Sequence, residues 1–293
     1  MNKVILYYKF TPIADPAMTV RWQRELCVRL GLKGRIIVSP HGINGTLGGD
    51  IEQLRSYKRE MNRSGVFRGI TYKWSDGNGE EFPRLSVKEK SELVAFGAPK
   101  ELEVDESGVV GGGTHLKPAQ LHELIKQKGD EVVFFDGRNA YEAKVGKFKN
   151  AVVPDTQTTR DFLKELATDK YDAIKDKPVV TYCTGGVRCE VLSALMKKRG
   201  FKDVYQIDGG IVKYGETYGD DGLWEGALYI FDGRMQHRFS ENSKDIANCG
   251  ICSQKTSSFA NCHDVSCNKL FVVCDSCQTS ARVQCDSHTA VPA

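Results

Sequence analysis

Residues 178 to 199 most restrict what this chain can fold into. An apolar β-type run, Pro178 to Tyr182, passes through the small-residue turn CTGGVR into an amphipathic helical run from Cys189 to Arg199. The same alternation recurs on both sides, with helical Leu116 to Lys126, the strand EVVFF, helical Arg160 to Leu166, and the strand DVYQI closed by Asp208-Gly209-Gly210. Strands separated by helices predict a parallel sheet with helical cover, which binds ligands beyond the carboxyl ends of its strands. Cys183 falls at such a strand end.

The turn after that strand suits an anion. Thr184, Gly185, Gly186 and Val187 separate Cys183 from Arg188 and are small, so successive backbone N–H groups can curl around one point at a helix start. A thiol at that point feels the helix dipole and the Arg188 charge, and both favour the reactive thiolate. An inert buried thiol is the plainer alternative; two glycines, an arginine and a helix start in register favour the reactive one. Phosphatase loops place five residues between cysteine and arginine, and the four found here suit a sulfur atom or persulfide better than a phosphate. Cys189 either packs the helix against the sheet or resolves an oxidised Cys183 as a disulfide. Cys27, among apolar residues of an amphipathic run, reads as core.

At 293 residues the chain suggests two or three domains. No apolar run approaches the length of a membrane span, and MNKVILYYKFTPIADP lacks the regions of a signal peptide, so a cytoplasmic location is expected. Disulfides rarely persist there. Ten cysteines are nevertheless present, seven of them after residue 248, which argues for metal. The tail pairs Cys249 with Cys252, Cys262 with Cys267, Cys274 with Cys277, and Cys285 with His288, with His263 a competing ligand. Such short-spaced soft ligands match two structural zinc sites. First pair with third and second with fourth is one arrangement, consecutive pairing another.

The first hundred residues carry 17 Lys and Arg against 10 Asp and Glu. A basic domain suggests a polyanionic partner, nucleic acid foremost, or simply a solvated surface. Its pattern runs strand (KVILYYKF), helix (Val20 to Gly31), strand (RIIVSP), strand (TLGG), helix (Ile51 to Met61), strand (ITYKW), with Leu93 to Phe96 a further strand candidate. Asn44-Gly45, within HGING, gives a hairpin-turn signal. That order is the split βαβ of ferredoxin-like, or acylphosphatase-like, α+β domains. His41 in the same turn, and Arg55, Lys58 and Arg59 on one helix, could contact RNA. The expected division is a basic domain over 1–96, a linker over 97–113, a parallel-sheet α/β domain over 114–218, and a C-terminal extension with a Cys-rich zinc module over 219–293.

Two resemblances follow from the motifs. Thr114 to Tyr218 resembles a rhodanese domain, through FFDGRNAYEAKVGKFKNAV and CTGGVRCE. It implies that Cys183 carries a sulfane sulfur as a persulfide, that a sulfur donor exists, and that Asp136 and Arg138 support the fold near the site. Phe148 departs from the histidine often found there. YYKFTPIADP, GINGTLGG, the rhodanese segment and the Cys-rich tail together resemble a bacterial family of tRNA wobble-uridine hydroxylases. That resemblance implies conversion of uridine 34, in the tRNA anticodon loop, to 5-hydroxyuridine with molecular oxygen as co-substrate. The chain shows no flavin fingerprint, haem site or nicotinamide motif, nor a facial triad for iron. Addition of Cys183 to C6 of uridine would activate C5. A plain thiosulfate or persulfide sulfurtransferase is the alternative. A third reading, a noncatalytic RNA- or protein-binding adaptor, sits poorly with an intact Cys183 and Arg188.

Overall fold

The computed structural model describes residues 1–267, 269–280 and 283–285. Strands β1 (Asn2–Phe10), β2 (Lys33–Ser39), β3 (Gly42–Asp50), β4 (Tyr72–Asp76) and β5 (Leu85–Glu89) form one sheet in the order β4-β1-β3-β2-β5. Helices α1 (Pro16–Arg29) and α2 (Ile51–Arg63) cover one face. Asp15 caps α1, accepting from the Met18 N–H at 2.8 Å, and Pro16 supplies a preset first turn, so the helix begins before the apolar spacing is visible at Val20. Leu26, Cys27, Leu54, Tyr57 and Met61 meet Ile5, Tyr7, Ile43 and Leu47 in the core between helices and sheet. Burial pushes the Cys27 thiol up to about 12, an inert state.

Two details of this sheet differ from expectation. The β2–β3 reversal is made by Pro40 and His41, and Asn44-Gly45 lies inside β3, where a Cβ on Gly45 would fall 2.4 Å from the Tyr7 ring. Close packing against an aromatic ring, rather than a turn, requires that glycine. The fifth strand is Leu85–Glu89, parallel to β2, and residues 93 to 96 are not a strand. Instead the Glu92 carboxylate accepts the N–H groups of Gly97 and Ala98, and the turn drives Phe96 fully inside.

The segment after Phe96 is packed rather than loose. It forms a short hairpin of β6 (Val104–Asp105) and β7 (Gly108–Val109), and Arg199 binds the Glu101 carboxylate at 3.1 Å. Phe10, Phe96 and Leu102 share one core with Phe135, Val179, Leu192 and Leu195 of the following sheet. Each fully buried Phe or Leu contributes roughly 1.5–3 kcal/mol, so this core holds the two sheets together.

Strands β8 (Thr114–Leu116), β9 (Val133–Asp136), β11 (Pro178–Tyr182) and β12 (Asp203–Ile207) make a parallel sheet in the order β8-β12-β11-β9. Helices α3 (Pro118–Lys128), α4 (Ala140–Ala143), α5 (Asp161–Leu166), α6 (Val187–Lys198) and α7 (Gly210–Tyr218) connect and cover it. Its second face packs Phe134, Val180, Tyr182 and Ile207 against Ile211, Tyr214 and Trp224. Phe148, on the short strand β10 (Gly146–Phe148), stacks on Phe134 at 4.8 Å and edges against Tyr214 and Trp224. An aromatic nest therefore accounts for the apolar residue at that position. Trp224, on β13 (Trp224–Gly226), pairs antiparallel with Phe148.

Beyond residue 226 the chain makes two-residue and three-residue hairpins, pairing Ala247–Asn248 with Lys255–Thr256 and Phe259–Asn261 with Leu270–Val272, then the helix Asp275–Ser280. Among the described residues no helix is long and apolar enough to cross a membrane.

Candidate active site and metal centre

Cys183 directly follows β11, and Thr184, Gly185 and Gly186 lead from it into α6. The carbonyls of Cys183 and Thr184 accept the N–H groups of Ile211 and Val212 at 2.9 and 3.0 Å, and Lys73 Nζ donates to the Gly185 carbonyl at 2.7 Å. With three carbonyls bound outward, the loop amides face inward, and the Gly186 N–H donates to Cys183 Sγ at 3.2 Å. Gly186 takes φ +99°, and a Cβ there would lie 2.8 Å from the Tyr8 hydroxyl, so both backbone and space demand glycine.

The thiol is tuned by its neighbours. Burial alone would raise Cys183, but a hydrogen bond from the Cys189 thiol, the Arg188 charge and the amides of Cys189 and Arg188 outweigh it and hold the pKa down at about 6. Cys189 moves the opposite way, raised by burial and by the negative charge of Cys183. Its sulfur lies 3.7 Å from Thr181 Oγ1. Arg188 is not free to grip a second anion: Nη1 and Nη2 bind the two oxygens of Glu142 at 2.6 and 2.8 Å, and Nη2 reaches Thr184 Oγ1 at 3.3 Å.

Asp136 and Arg138 form a second buried pair. Arg138 Nε and Nη2 bind the Asp136 carboxylate at 2.9 and 2.7 Å, and Nη2 also reaches the Gly146 carbonyl at 2.7 Å. The Tyr182 hydroxyl donates to Asp136 at 2.9 Å, and the guanidinium lies over the Tyr182 and Trp224 rings. This set braces the strand end that carries Cys183 without touching its sulfur.

The roof over the loop is the uncovered face of the first sheet. Strand alternation sends Ile5, Tyr7, Ile43 and Leu47 to that domain's core and leaves Leu6, Tyr8, Asn44, Thr46, Arg35, Ile37 and Lys73 on the opposite face. Between this face and the Cys183 loop lies a cavity of about 830 Å³, also lined by Trp74, Arg188, Phe231 and Arg234. Arg188 passes over the Phe231 ring at 5.6 Å, and Arg234 ties the later segment to β4 through Ser75 at 3.0 Å. Burial lowers the pKa of Lys73 against the pull of Cys183 and Asp208. A separate cavity of about 900 Å³, lined by His115, Glu190 and Gln206, lies across the Tyr8–Glu190 hydrogen bond of 2.9 Å.

The tail brings its cysteines together in the interleaved order. The sulfurs of Cys249, Cys252, Cys274 and Cys277 lie within 4.8 Å of one another, and those of Cys262, Cys267 and Cys285 form a second such group. Four converging thiols fit a tetrahedral soft-metal site, and the N–H groups of Ile251 and Cys274 point at Cys249 Sγ, 3.4 Å away. Against burial, which would raise it, amides of Cys252, Cys274 and Ile251 bring the Cys249 thiol down to about 6, toward the form a metal binds. His263 is not in the second group; its Nδ1 accepts the Val283 N–H at 3.2 Å. His288 lies outside the described residues. Both groups can hold a metal ion.

Three family models match in succession: a UPF0176 acylphosphatase-like domain over residues 2–93, a rhodanese-like domain over 117–217 and a rhodanese C-terminal domain over 225–289. A tRNA uridine(34) hydroxylase of Corynebacterium urealyticum is 58% identical, over 97% of this chain and 96% of its own. One of Pseudarthrobacter chlorophenolicus is 60% identical, over 96% and 95%. The chain belongs to the tRNA uridine(34) hydroxylase family. Both relatives match over almost the whole chain, so the likeness extends across all three of the segments that the family models cover.

Within this family fold, the residues read from sequence separate into groups. Cys183, Thr184, Gly185, Val187 and Arg188 line the large cavity, and Gly186 and Cys189 lie directly behind it. His41 makes the β2–β3 turn, away from the cavity, with its Nδ1 buried and unpartnered and its pKa lowered by burial. Arg55 binds Glu52, Arg59 binds Ser56, and Lys58 lies over Tyr72, all on α2, behind the sheet as seen from Cys183. Glu142, Lys73, Arg35 and the amides of Ile211 and Val212 were not singled out from sequence. Asn139-x-x-Glu142 does carry a legible signal as a helix capping box, but nothing in that spacing foretells its partner 46 residues later.

Proposed function

We propose that this chain hydroxylates uridine 34 of tRNA to 5-hydroxyuridine, with Cys183 as the reactive group. The observation that carries this is the cavity itself: a thiol held near a pKa of about 6 faces, across about 830 Å³, a sheet that sets Arg35, Lys73, Asn44 and Thr46 among apolar Leu6 and Ile37. Small-molecule and base pockets fall in this size range. A base in the anticodon loop is turned out at little cost because it is single-stranded, and the loop backbone then meets Arg35, Lys73 and Arg234 at the cavity rim. Asn44 and Thr46 lie on the roof opposite the sulfur, where they can hydrogen-bond a pyrimidine edge.

In this reading the Cys183 thiolate adds to C6 of uracil and places electron density on C5, which takes up dioxygen as a hydroperoxide whose distal oxygen leaves afterwards as water with two electrons and two protons from a thiol reductant. Loss of the C5 proton expels the thiolate and restores the ring. The loop amides hold the sulfur, and Arg188 keeps it ionised while Glu142 neutralises the pocket's excess charge. With Arg188 already paired to Glu142, the loop offers no free guanidinium to a thiosulfate dianion, which favours the hydroxylase over a plain sulfurtransferase. The two thiol groups of the tail would each hold a structural zinc, the second completed by a ligand such as His288. Acting on tRNA, the chain would work in the cytoplasm.

Nucleoside analysis of tRNA from cells lacking the protein tests the reading. Loss of 5-hydroxyuridine derivatives, restored by the wild-type chain and not by Cys183→Ser, is expected. Unchanged modification together with lost thiosulfate turnover would establish the sulfurtransferase instead. Covalent capture of tRNA bearing 5-fluorouridine, seen by mass spectrometry, tests the C6 adduct; robust turnover without capture excludes it.

A further inference from the structure

The two cysteines of the loop are built as a pair. Gly186 is clasped between them, its N–H on Cys183 Sγ at 3.2 Å and its carbonyl accepting the Cys189 N–H at 3.0 Å. One glycine thus joins the Cys183 sulfur to the backbone of Cys189, and both residues are 1% exposed. Cys189 faces the back of the loop, where the Thr181 hydroxyl is its other polar neighbour.

Hydroxylation with dioxygen adds a requirement of its own. Converting a C5–H bond to C5–OH uses one oxygen atom, and the other leaves as water only if two electrons and two protons are supplied. We infer that Cys183 and Cys189 supply them, as a dithiol oxidised to a disulfide once per turnover. This rests on the proposed hydroxylase reading. The balance is uridine, dioxygen and two thiols giving 5-hydroxyuridine, water and one disulfide.

The steps follow the geometry. After expulsion from C6, the Cys183 thiolate attacks the distal oxygen of the C5 hydroperoxide; the O–O bond breaks, the C5 oxygen keeps its electron pair and takes a proton, and Cys183 becomes a sulfenic acid. Cys189 then attacks that sulfur, the S–S bond forms, and hydroxide leaves with the Cys189 proton as water. A thiol kept protonated until its neighbour is oxidised is suited to this second role. The next turnover requires thiol–disulfide exchange with an external dithiol, which reaches the pair through the large cavity. The reaction that must follow this one is therefore a dithiol reduction of the enzyme itself.

The test uses full-length, metal-loaded enzyme, reduced and then freed of thiol, mixed with unmodified tRNA in air. One 5-hydroxyuridine per chain is expected, with the Cys183 and Cys189 peptides joined and two hydrogens lighter, and turnover resuming on addition of dithiothreitol. Cys189→Ser should leave a Cys183 sulfenic acid that dimedone traps. Repeated turnover without reductant, or product formed with both thiols still free, overturns the inference. A persulfide on Cys183 with no disulfide after product formation does the same. No product at all from the reduced wild-type enzyme removes the hydroxylase reading, and this inference with it.

Discussion

Arg188 closes its guanidinium on Glu142 through two hydrogen bonds of 2.6 and 2.8 Å, with the carboxylate fully inside the protein. The loop arginine whose charge the sequence sets beside the thiol is thus already paired. Its charge still reaches Cys183, because Coulomb attraction persists in a poorly solvated interior after partial neutralisation. Glu142→Ala would leave that arginine buried and unpaired. Breaking such a pair costs about 3–5 kcal/mol, so a fall of that size in denaturant unfolding is expected. Thiosulfate binding, measured by calorimetry, should become stronger in the same variant.

Activity should follow ionisation of Cys183. With the thiolate as the proposed working form, single-turnover rates should rise as pH passes through about 6 and level off above it. Arg188→Gln removes a lowering charge and should move the midpoint upward. Iodoacetamide alkylation of Cys183, followed by peptide mass spectrometry over pH, reads the same ionisation independently of tRNA.

Cations on the two sides of the first sheet should behave differently toward tRNA. Arg35→Ala removes a charge at the cavity and should weaken binding while lowering the slope of log K against log salt by about 1 for the phosphate no longer neutralised. Arg55→Ala and Arg59→Ala, behind the sheet, should leave that slope unchanged. Asn44→Ala should raise KM more than it lowers kcat if its amide reads the base.

The thiol clusters should govern the tail alone. Metal analysis is expected to find zinc, and removing it with a chelator should unfold the segment after residue 247 while the two sheets persist. Cys274→Ser should act like the chelator. Less than one zinc per chain would exclude the metal assignment.

Gly45 offers a check on the packing of the first sheet. A Cβ there meets the Tyr7 ring at 2.4 Å, and overpacking of this kind costs about 1–3 kcal/mol. Gly45→Ala should lower the melting temperature accordingly, and Tyr7→Phe, which keeps the ring, should not relieve it.

Local pattern carried most of the architecture. Helical spacing and β-type runs located both sheets, and the Gly-rich turn after Tyr182 marked the thiol, because each signal is confined to a few neighbouring residues. Errors arose where one local signal has two physical causes. Asn44-Gly45 looks like a turn, yet Gly45 answers to Tyr7 on the adjacent strand. Leu93 to Phe96 looks like a strand, yet those apolar residues fill a core between sheets.

The sequence by itself determined the cysteine at the strand end, its loop, the parallel sheet behind it, the family and the soft-ligand tail. Tertiary structure alone decided that Glu142 occupies Arg188, that Lys73 holds the loop from another sheet, and that the thiol pairs interleave. It also decided which basic residues face the thiol: Arg35 and Lys73 across the cavity, not the helix cations of α2. Residues near in sequence share a periodicity that can be read, whereas partners 46 or 112 residues apart share none until the chain closes on itself.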